Sequence, residues 1–134
     1  MQTWPGYTAP ASTLYGSLGA VGESAYAAAL ASIVKRSGVP LAEGRLETRA
    51  IIQRQPDNEY DPNAVVVLLE GQRVGYIERG TAAAYQRALV ELERRGFAPE
   101  CEAVIAWRPD TSPIRMGVWL EIAFPDELEA WLGI

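Results

Sequence analysis

Apolar and polar residues alternate along residues 45–54, and this pattern predicts a strand with one buried face. The residues of that face are Leu46, Thr48, Ala50 and Ile52. A β-branched apolar run over residues 64–70 predicts a more buried strand, and a tight Glu-Gly-Gln connection leads into a returning strand over residues 73–77. Three further strands are predicted, over residues 14–21, 100–108 and 113–124.

Other stretches repeat apolar residues at helical spacing. Ser24 is a typical N-cap residue, so a first helix is expected from there until Gly38 and Pro40 end it. A second helix is predicted over residues 81–95. Its apolar stripe consists of Ala82, Tyr85, Leu89 and Leu92. Pro125 predicts the start of a short third helix.

The order of these elements predicts a mainly β fold with helices, of the α+β class. The tight hairpin and the final pair of strands favour antiparallel pairing, so we expect a small, closed or nearly closed barrel of about six strands with two to three packed helices. Residues 1–13 are rich in Pro, Gly and small polar residues and are predicted to be a flexible arm, whereas residues 14–134 form one domain. Trp107 and Trp119 fall in predicted strands and are expected in the core.

Composition excludes several kinds of chemistry. The chain of 134 residues has one cysteine, Cys101, and no histidine, so hydrolases with a histidine base and ordinary structural zinc sites are excluded. No P-loop or nucleophile is evident, and we expect neither a cofactor nor an enzyme activity. No stretch is long and apolar enough to cross a membrane, and the first residues do not resemble a signal peptide. The expected location is therefore the cytoplasm, with nucleoid association if the chain binds DNA.

The net charge of -5, from 12 basic and 17 acidic residues, argues against a general nucleic-acid binder. The distribution of these charges along the chain weakens that argument. From Asp110 onward there are five acids and one base, whereas residues 43–95 hold nine acids and eight arginines. A local basic patch therefore remains compatible with the sequence, and arginine suits contacts to phosphate.

Residues 53–79 carry a specific pattern and resemble the HIRAN domain family. Members often have "R-x-P-x-N-x-Y-D-x-N-A", then an apolar strand, then "V-G-Y" and a basic residue. The matching positions are Arg54, Pro56, Asn58, Tyr60, Asp61, Asn63, Ala64, Val74, Gly75, Tyr76 and Arg79. An upstream Val-Gly pair with Tyr26 a few positions later is also similar, so the resemblance extends over about residues 14–123.

The resemblance implies an OB-like barrel that binds single-stranded DNA, particularly a free 3′-hydroxyl end, in DNA repair or replication stress, beside a helicase or nuclease partner. It implies nucleic-acid contacts at Tyr26, Asn58, Tyr60, Asp61, Tyr76 and Arg79. Tyr60 would stack on the terminal base, and Asp61 would accept a hydrogen bond from the 3′-hydroxyl. Arg79 would meet a phosphate, which would also lie near the N-terminal amides of the following helix. Asn58 would shape the loop or contact the nucleotide, and Tyr26 and Tyr76 would line the pocket.

Alternative interpretations remain open for these residues. Asn58, Asp61 and Asn63 are also typical turn formers, and Tyr60 and Tyr26 are also compatible with packing roles. Ser24 and Ala25 stand where DNA-binding members have a basic and an aromatic residue, which favours a protein-interaction domain that has lost DNA binding. A metal-dependent hydrolase would need the alternating acids of the loop, Asp57, Glu59 and Asp61, and this signal is weak.

Overall fold

The computed structural model describes residues 4–13 and 16–134 of the chain. The strands are β1 (Gly6–Thr8), β2 (Leu18–Gly19), β3 (Arg45–Arg54), β4 (Val65–Leu69), β5 (Gln72–Tyr76), β6 (Ala98–Trp107) and β7 (Met116–Glu121). The helices are α1 (Ala27–Ser37), α2 (Arg79–Arg94) and α3 (Pro125–Leu132). Two short 3₁₀ turns, Glu23–Tyr26 and Leu41–Glu43, precede α1 and β3. The predicted strand over residues 45–54 is confirmed with its boundaries.

The strands form a curled antiparallel sheet in the order β2-β7-β6-β3-β4-β5. The two edges of this sheet meet at a bridge, where the Val21 amide donates to the Tyr76 carbonyl at 2.8 Å and the Tyr76 amide donates back at 2.9 Å. Curling reduces the exposed edge that an open sheet would leave unpaired. The predicted mainly β class with an OB-like barrel and three packed helices is therefore confirmed.

The core lies inside the curl of the sheet, where the inward residues of each strand meet one face of each long helix. Ile52 on β3 is fully buried, and so are the successive residues Val65, Val66 and Val67 of β4, which is covered on both faces as its continuous apolar run predicts. The buried residues of α2 are Ala82, Tyr85, Ala88, Leu89 and Leu92. The Tyr85 hydroxyl donates to the Ala123 carbonyl at 2.7 Å, and burial raises the pKa of this phenol above its ordinary value. A hydrogen bond of this kind allows a buried tyrosine to keep its polar group.

Trp119 does not belong to the core, so that prediction is wrong. Its neighbours Val118 and Leu120 face inward, and strict alternation along β7 therefore turns Trp119 outward, where it is 49% exposed. Its ring covers Gly19 closely enough that a Cβ at that glycine would approach the ring at 2.7 Å. Trp107 is buried as expected, and its indole Nε1 donates to the Leu41 carbonyl at 2.8 Å.

The first helix begins later than Ser24 predicts. Gly22 adopts a left-handed conformation with φ 79°, and residues Glu23–Tyr26 form a 3₁₀ turn without a side-chain cap. The α-helical conformation begins at Ala27. The reason is that Val21 is still bonded to β5, so the chain turns tightly before it can enter the helix. The strand predicted over residues 14–21 is reduced to Leu18–Gly19, and residues 14 and 15 lie outside the described part.

Part of the predicted N-terminal arm is paired to the sheet. β1 runs parallel to the start of β6, with Tyr7 opposite Pro99, and the Tyr7 ring lies 5.9 Å from the ring of Phe97 between centroids. Farther along, Glu127 of α3 accepts hydrogen bonds from the Ser12 hydroxyl at 2.7 Å and the Thr13 amide at 3.0 Å. Residues 4–13 therefore contact the domain along their length, whereas residues 1–3 lie outside the described part.

We expect Glu127 to make folding sensitive to acid. The amide of Thr13 and the hydroxyl of Ser12 lower the pKa of Glu127 to about 2. The pKa of Glu127 in the folded chain lies below the ordinary pKa of a glutamate. The Glu127 carboxylate therefore contributes fully to stability when the pH is above the ordinary pKa, and this contribution is lost as the pH falls toward 2. The Glu127→Gln variant should therefore unfold at a lower temperature than wild type at pH 7, and this difference should shrink at pH 3.

Thermal unfolding between pH 3 and pH 7 measures this difference. Glu121→Gln is the matched control, because Glu121 is an exposed carboxylate on β7. A difference between wild type and Glu127→Gln that stays constant across the pH range would contradict the expectation.

Candidate nucleic-acid interface

A shallow groove of about 570 Å³ lies beside the point where the sheet closes. Its lining includes all six residues that the sequence pattern predicts for a nucleic-acid site: Tyr26, Asn58, Tyr60, Asp61, Tyr76 and Arg79. They come from the 3₁₀ turn before α1, from the loop between β3 and β4, from β5 and from the start of α2. The fold therefore brings together side chains that are up to 53 positions apart in the sequence (Tyr26 to Arg79).

Two tyrosines form one wall of the groove. The bridge between Val21 and Tyr76 holds the 3₁₀ turn against β5, and it places the ring centroids of Tyr26 and Tyr76 6.4 Å apart at an angle of 46°. Burial, with the neighbouring Tyr76 hydroxyl, raises the pKa of Tyr26. The Tyr76 hydroxyl donates to Gln55 Oε1 at 2.9 Å, so the ring orientation is fixed from both sides.

Asn58 shapes the loop that carries the central residues of the site. Its Oδ1 accepts from the amides of Tyr60 at 2.9 Å and Asp61 at 3.0 Å, which is the Asx geometry expected of a turn. Its Nδ2 donates to Gln55 Oε1 at 3.1 Å. The loop is closed at its base, where the Gln55 amide donates to the Ala64 carbonyl at 2.8 Å. Both polar atoms of the Asn58 side chain are therefore used within the loop.

Tyr60 extends from this loop with its ring open to solvent. Its exposure is 84%, the highest among the large apolar side chains exposed in the described part of the chain. A packing role for Tyr60 is therefore wrong. The backbone that carries it is held by Asn58, so the exposed ring stands on a fixed support. An exposed aromatic face at the rim of a groove is the arrangement that stacks on a nucleobase.

Asp61 lies next to this ring and faces Arg79. Asp61 Oδ1 accepts from the Asn63 amide at 2.9 Å, which is again a turn contact. The other oxygen, Oδ2, lies 3.7 Å from Arg79 Nε. The Asp61 side chain is 19% exposed, whereas that of Arg79 is 80% exposed. The carboxylate is thus held in place with one oxygen toward the groove, and the guanidinium beside it is free to reorient.

The N-terminal amides of α2 are not open to a phosphate, so that expectation is wrong. Glu78 is the N-cap of the helix, and its carboxylate accepts from the amides of Gly80 at 2.9 Å and Thr81 at 3.1 Å. These hydrogen bonds hold the pKa of Glu78 below its ordinary value. The helix begins at Arg79 and supplies a guanidinium to the groove, while its amides are occupied by the protein's own anion.

Sequence reasoning missed two residues of the site, Gln55 and Arg73. Gln55 is only 6% exposed, and its Oε1 joins the loop to β5 through Asn58 and Tyr76. Arg73 is exposed on β5 and lines the groove, and it has no ion pair with any described side chain. The alternation of β5 places Arg73 outside the core, but only the three-dimensional curl of the sheet places it in this groove.

The charges of the groove balance. Arg73 and Arg79 are opposed by Glu59 and Asp61, all four of which line it. Ser24 and Ala25, the positions that depart from the family pattern, are exposed on the 3₁₀ turn.

The described residues include neither a candidate metal site nor a candidate membrane span. In the described ranges, no three Cys, Asp or Glu side chains are grouped so that they could hold a metal ion, and the alternating acids of the loop do not make such a group. No helix in those ranges has the length and apolar character that a membrane span requires.

Comparison with known proteins assigns the chain to a family. The profile of the HIRAN domain matches residues 36–123, which is more than half of the chain. The chain belongs to the HIRAN domain family. HIRAN domains are known as DNA-binding modules. A crystal structure of the HIRAN domain of human HLTF is similar at 18% sequence identity, with 65% of this chain and 82% of that chain covered and a TM-score of 0.33. No curated protein gives a significant match.

We expect Gln55→Leu to destabilise this HIRAN domain and to loosen its groove. The substitution removes the acceptor of the Tyr76 hydroxyl and of the Asn58 side-chain amide. A buried donor without a partner costs about 1–3 kcal/mol, and because these two donors are only partly buried, we expect a loss toward the lower end of that range. Chemical denaturation measures the loss. Gln72→Leu on the neighbouring strand is the control, since no hydrogen bond involves that side chain in the described structure. Equal unfolding free energies for Gln55→Leu and wild type would contradict the assigned role.

Proposed function

We propose that this HIRAN domain is a non-catalytic module that binds single-stranded DNA at a free 3′-hydroxyl end. The observation that carries the proposal is the open ring of Tyr60, placed beside the Asp61 carboxylate and the Arg79 guanidinium in one groove. A ring, an anion and a cation that line one groove correspond to the three parts of a terminal nucleotide, which are the base, the sugar hydroxyl and the phosphate.

Stacking supplies most of the affinity in this proposal. The Tyr60 ring offers one face to the terminal base, and the pair formed by Tyr26 and Tyr76 lines the same groove. Stacking on an aromatic ring contributes about 1–3 kcal/mol per base and accepts every base, since each has a π face. Binding of this kind depends little on the base sequence of the DNA.

The Asp61 carboxylate supplies selectivity for the end of the strand. Oδ1 already accepts a backbone hydrogen bond, and Oδ2 is the oxygen that remains for a ligand. A 3′-hydroxyl can donate a hydrogen bond to it, and a charge-assisted bond of this kind is short and strong. A 3′-phosphate has no such donor at neutral pH and is repelled by the carboxylate.

Arg79 and Arg73 supply the phosphate contacts. Arg79 is 80% exposed and held only by the 3.7 Å pair with Asp61, so it can turn toward a phosphate at little cost. Arg73 has no acidic partner among the described side chains. Two contacts, in a chain of net charge -5, make binding less dependent on counterion release than in a basic protein.

The proposed context is DNA repair or replication stress inside the cell, where free 3′ ends arise. In this context the domain would deliver a strand end to a partner enzyme, such as a helicase or a nuclease. A second candidate function is a protein-interaction domain of the same fold that uses the loop at residues 58–63. Ala25 favours this alternative, because it gives the exposed 3₁₀ turn no second aromatic ring.

Fluorescence anisotropy with a 5′-labelled oligothymidine that ends in a 3′-hydroxyl or a 3′-phosphate tests the proposal. We expect wild type to prefer the hydroxyl end. Tyr60→Ala should weaken binding to both ends roughly five- to hundredfold, and Tyr60→Phe, which keeps the ring, should not. Asp61→Asn should lose the preference between ends, whereas Asp57→Asn in the same loop should retain it. Absence of binding at low salt would overturn the proposal and favour the protein-interaction domain.

We also expect a shallow dependence on salt. With two phosphate contacts, the logarithm of the binding constant should fall with the logarithm of salt concentration at a slope of about -1.4, since each contact on a single strand contributes roughly -0.7. Anisotropy titrations between 20 and 200 mM salt, roughly the range over which such slopes are measured, give the value. Arg73→Gln and Arg79→Gln should each reduce the slope by about half. A slope steeper than about -3 would mean that another cationic surface binds the strand.

A further inference from the structure

A second and larger groove, of about 960 Å³, lies on the other side of the 3₁₀ turn Glu23–Tyr26. It runs between α1 and the segment that enters β7. The apolar side chains that line it are Ala27, Ala31, Val34, Val39, Leu41, Ile114 and Met116. Leu41 is 51% exposed, although it is an aliphatic residue. We call this surface the aliphatic groove.

Among the side chains that the structure describes, the charged ones that line the aliphatic groove are both cations. Lys35 and Arg115 line it, and no described acid does. Neither cation forms an ion pair with a described side chain. In contrast, nine other arginines each form an ion pair with an acidic side chain. Two cations without an ion pair to a described side chain therefore lie beside an apolar floor. Their field favours a ligand that carries negative charge.

The rim of the aliphatic groove is held by hydrogen bonds to backbone carbonyls. Gly38 ends α1 in a left-handed conformation with φ 80°, and its amide donates to the Lys35 carbonyl at 3.3 Å. The Leu41 carbonyl accepts from Trp107 Nε1 at 2.8 Å, and the Trp107 amide donates to the Gly44 carbonyl at 2.9 Å. The exposed Leu41 therefore stands on a rigid support, and a rigid groove loses less entropy when it binds a ligand.

We propose that the aliphatic groove binds an amphipathic helix of a partner protein, with an apolar face and acidic residues along its border. Ala27, Ala31 and Lys35 follow at intervals of four on one face of α1, over about 12 Å, which is the length of roughly two helical turns. The small side chains at the first two positions allow close approach of a second helix. Helix-in-groove binding uses anchors at this spacing.

The lining favours a peptide over nucleic acid. Within the described part of the chain, no aromatic side chain lines the aliphatic groove, so a base would find no described ring on which to stack. Leu, Ile or Met side chains of a helix would instead bury their surface against Leu41, Ile114 and Met116, and carboxylates at the border would reach Lys35 and Arg115. The inference does not depend on the proposed binding of DNA, because the two grooves lie on opposite sides of the turn.

Selection from a displayed library of random 16-residue peptides, with the full chain as the target, tests the proposal. We expect the selected peptides to combine apolar residues at helical spacing with Asp or Glu. Amide NMR shifts on addition of a selected peptide should concentrate at α1, at Leu41 and at Met116. The double variant Lys35→Glu, Arg115→Glu should bind these peptides roughly five- to tenfold more weakly and should prefer versions in which Lys replaces each acid.

Two further variants make the test specific. Ala31→Phe should block the aliphatic groove without a change of charge, and it should abolish binding. The double variant Arg45→Glu, Arg108→Glu carries the same change of charge on exposed cations outside this groove, and it should bind normally. Its folding and that of the other variants are checked by circular dichroism.

Five outcomes would overturn the proposal. Selected peptides without acidic residues, or peptides that bind the charge-reversed variant equally well, would exclude the role of the two cations. Shifts outside the aliphatic groove would exclude the site. Displacement of a selected peptide by oligothymidine would assign the surface to nucleic acid, and concentration-dependent dimerisation that Ala31→Phe abolishes would assign it to a second copy of the chain.

Discussion

The two reciprocal hydrogen bonds between Val21 and Tyr76 are the constraint on which the rest of the structure depends. They join the edges of the curled sheet, and they fix where the chain must turn before it can enter α1. One consequence is the contact between the rings of Tyr26 and Tyr76. Another is that the same turn separates the groove of the six family residues from the aliphatic groove.

The polar residues around the closure divide into two groups. Gln55, Asn58 and Glu78 have their hydrogen bonds satisfied within the protein, and they hold the loop and the start of α2 in place. Tyr60 and Arg79 are exposed on these supports. A rigid base that carries exposed groups is the arrangement from which a ligand site gains affinity without a large entropy loss. The satisfied residues are therefore expected to affect stability, and the exposed ones binding.

Local sequence patterns predicted those elements whose burial depends on a single packing face. The alternation of apolar and polar residues predicted the boundaries of β3, because a strand with one buried face keeps this alternation along its whole length. Trp119 and Ser24 were misplaced, because their positions depend on the parity of β7 and on the bridge to β5. A family pattern predicted the six candidate residues, and the fold brings them to one groove. The positions of Gln55 and Arg73 depend on strands brought together by the curl, which no local pattern encodes.

The cap that Glu78 provides for α2 has a consequence for the way an anion can be held in this HIRAN domain. Helix amides are fixed donors, and they bind a phosphate in a single position. Here those amides already bond to Glu78, so only the long side chains of Arg73 and Arg79 remain. Ordering such side chains costs rotamer entropy. Because long side chains can change rotamer, a strand bound as proposed would not need one fixed set of backbone torsions.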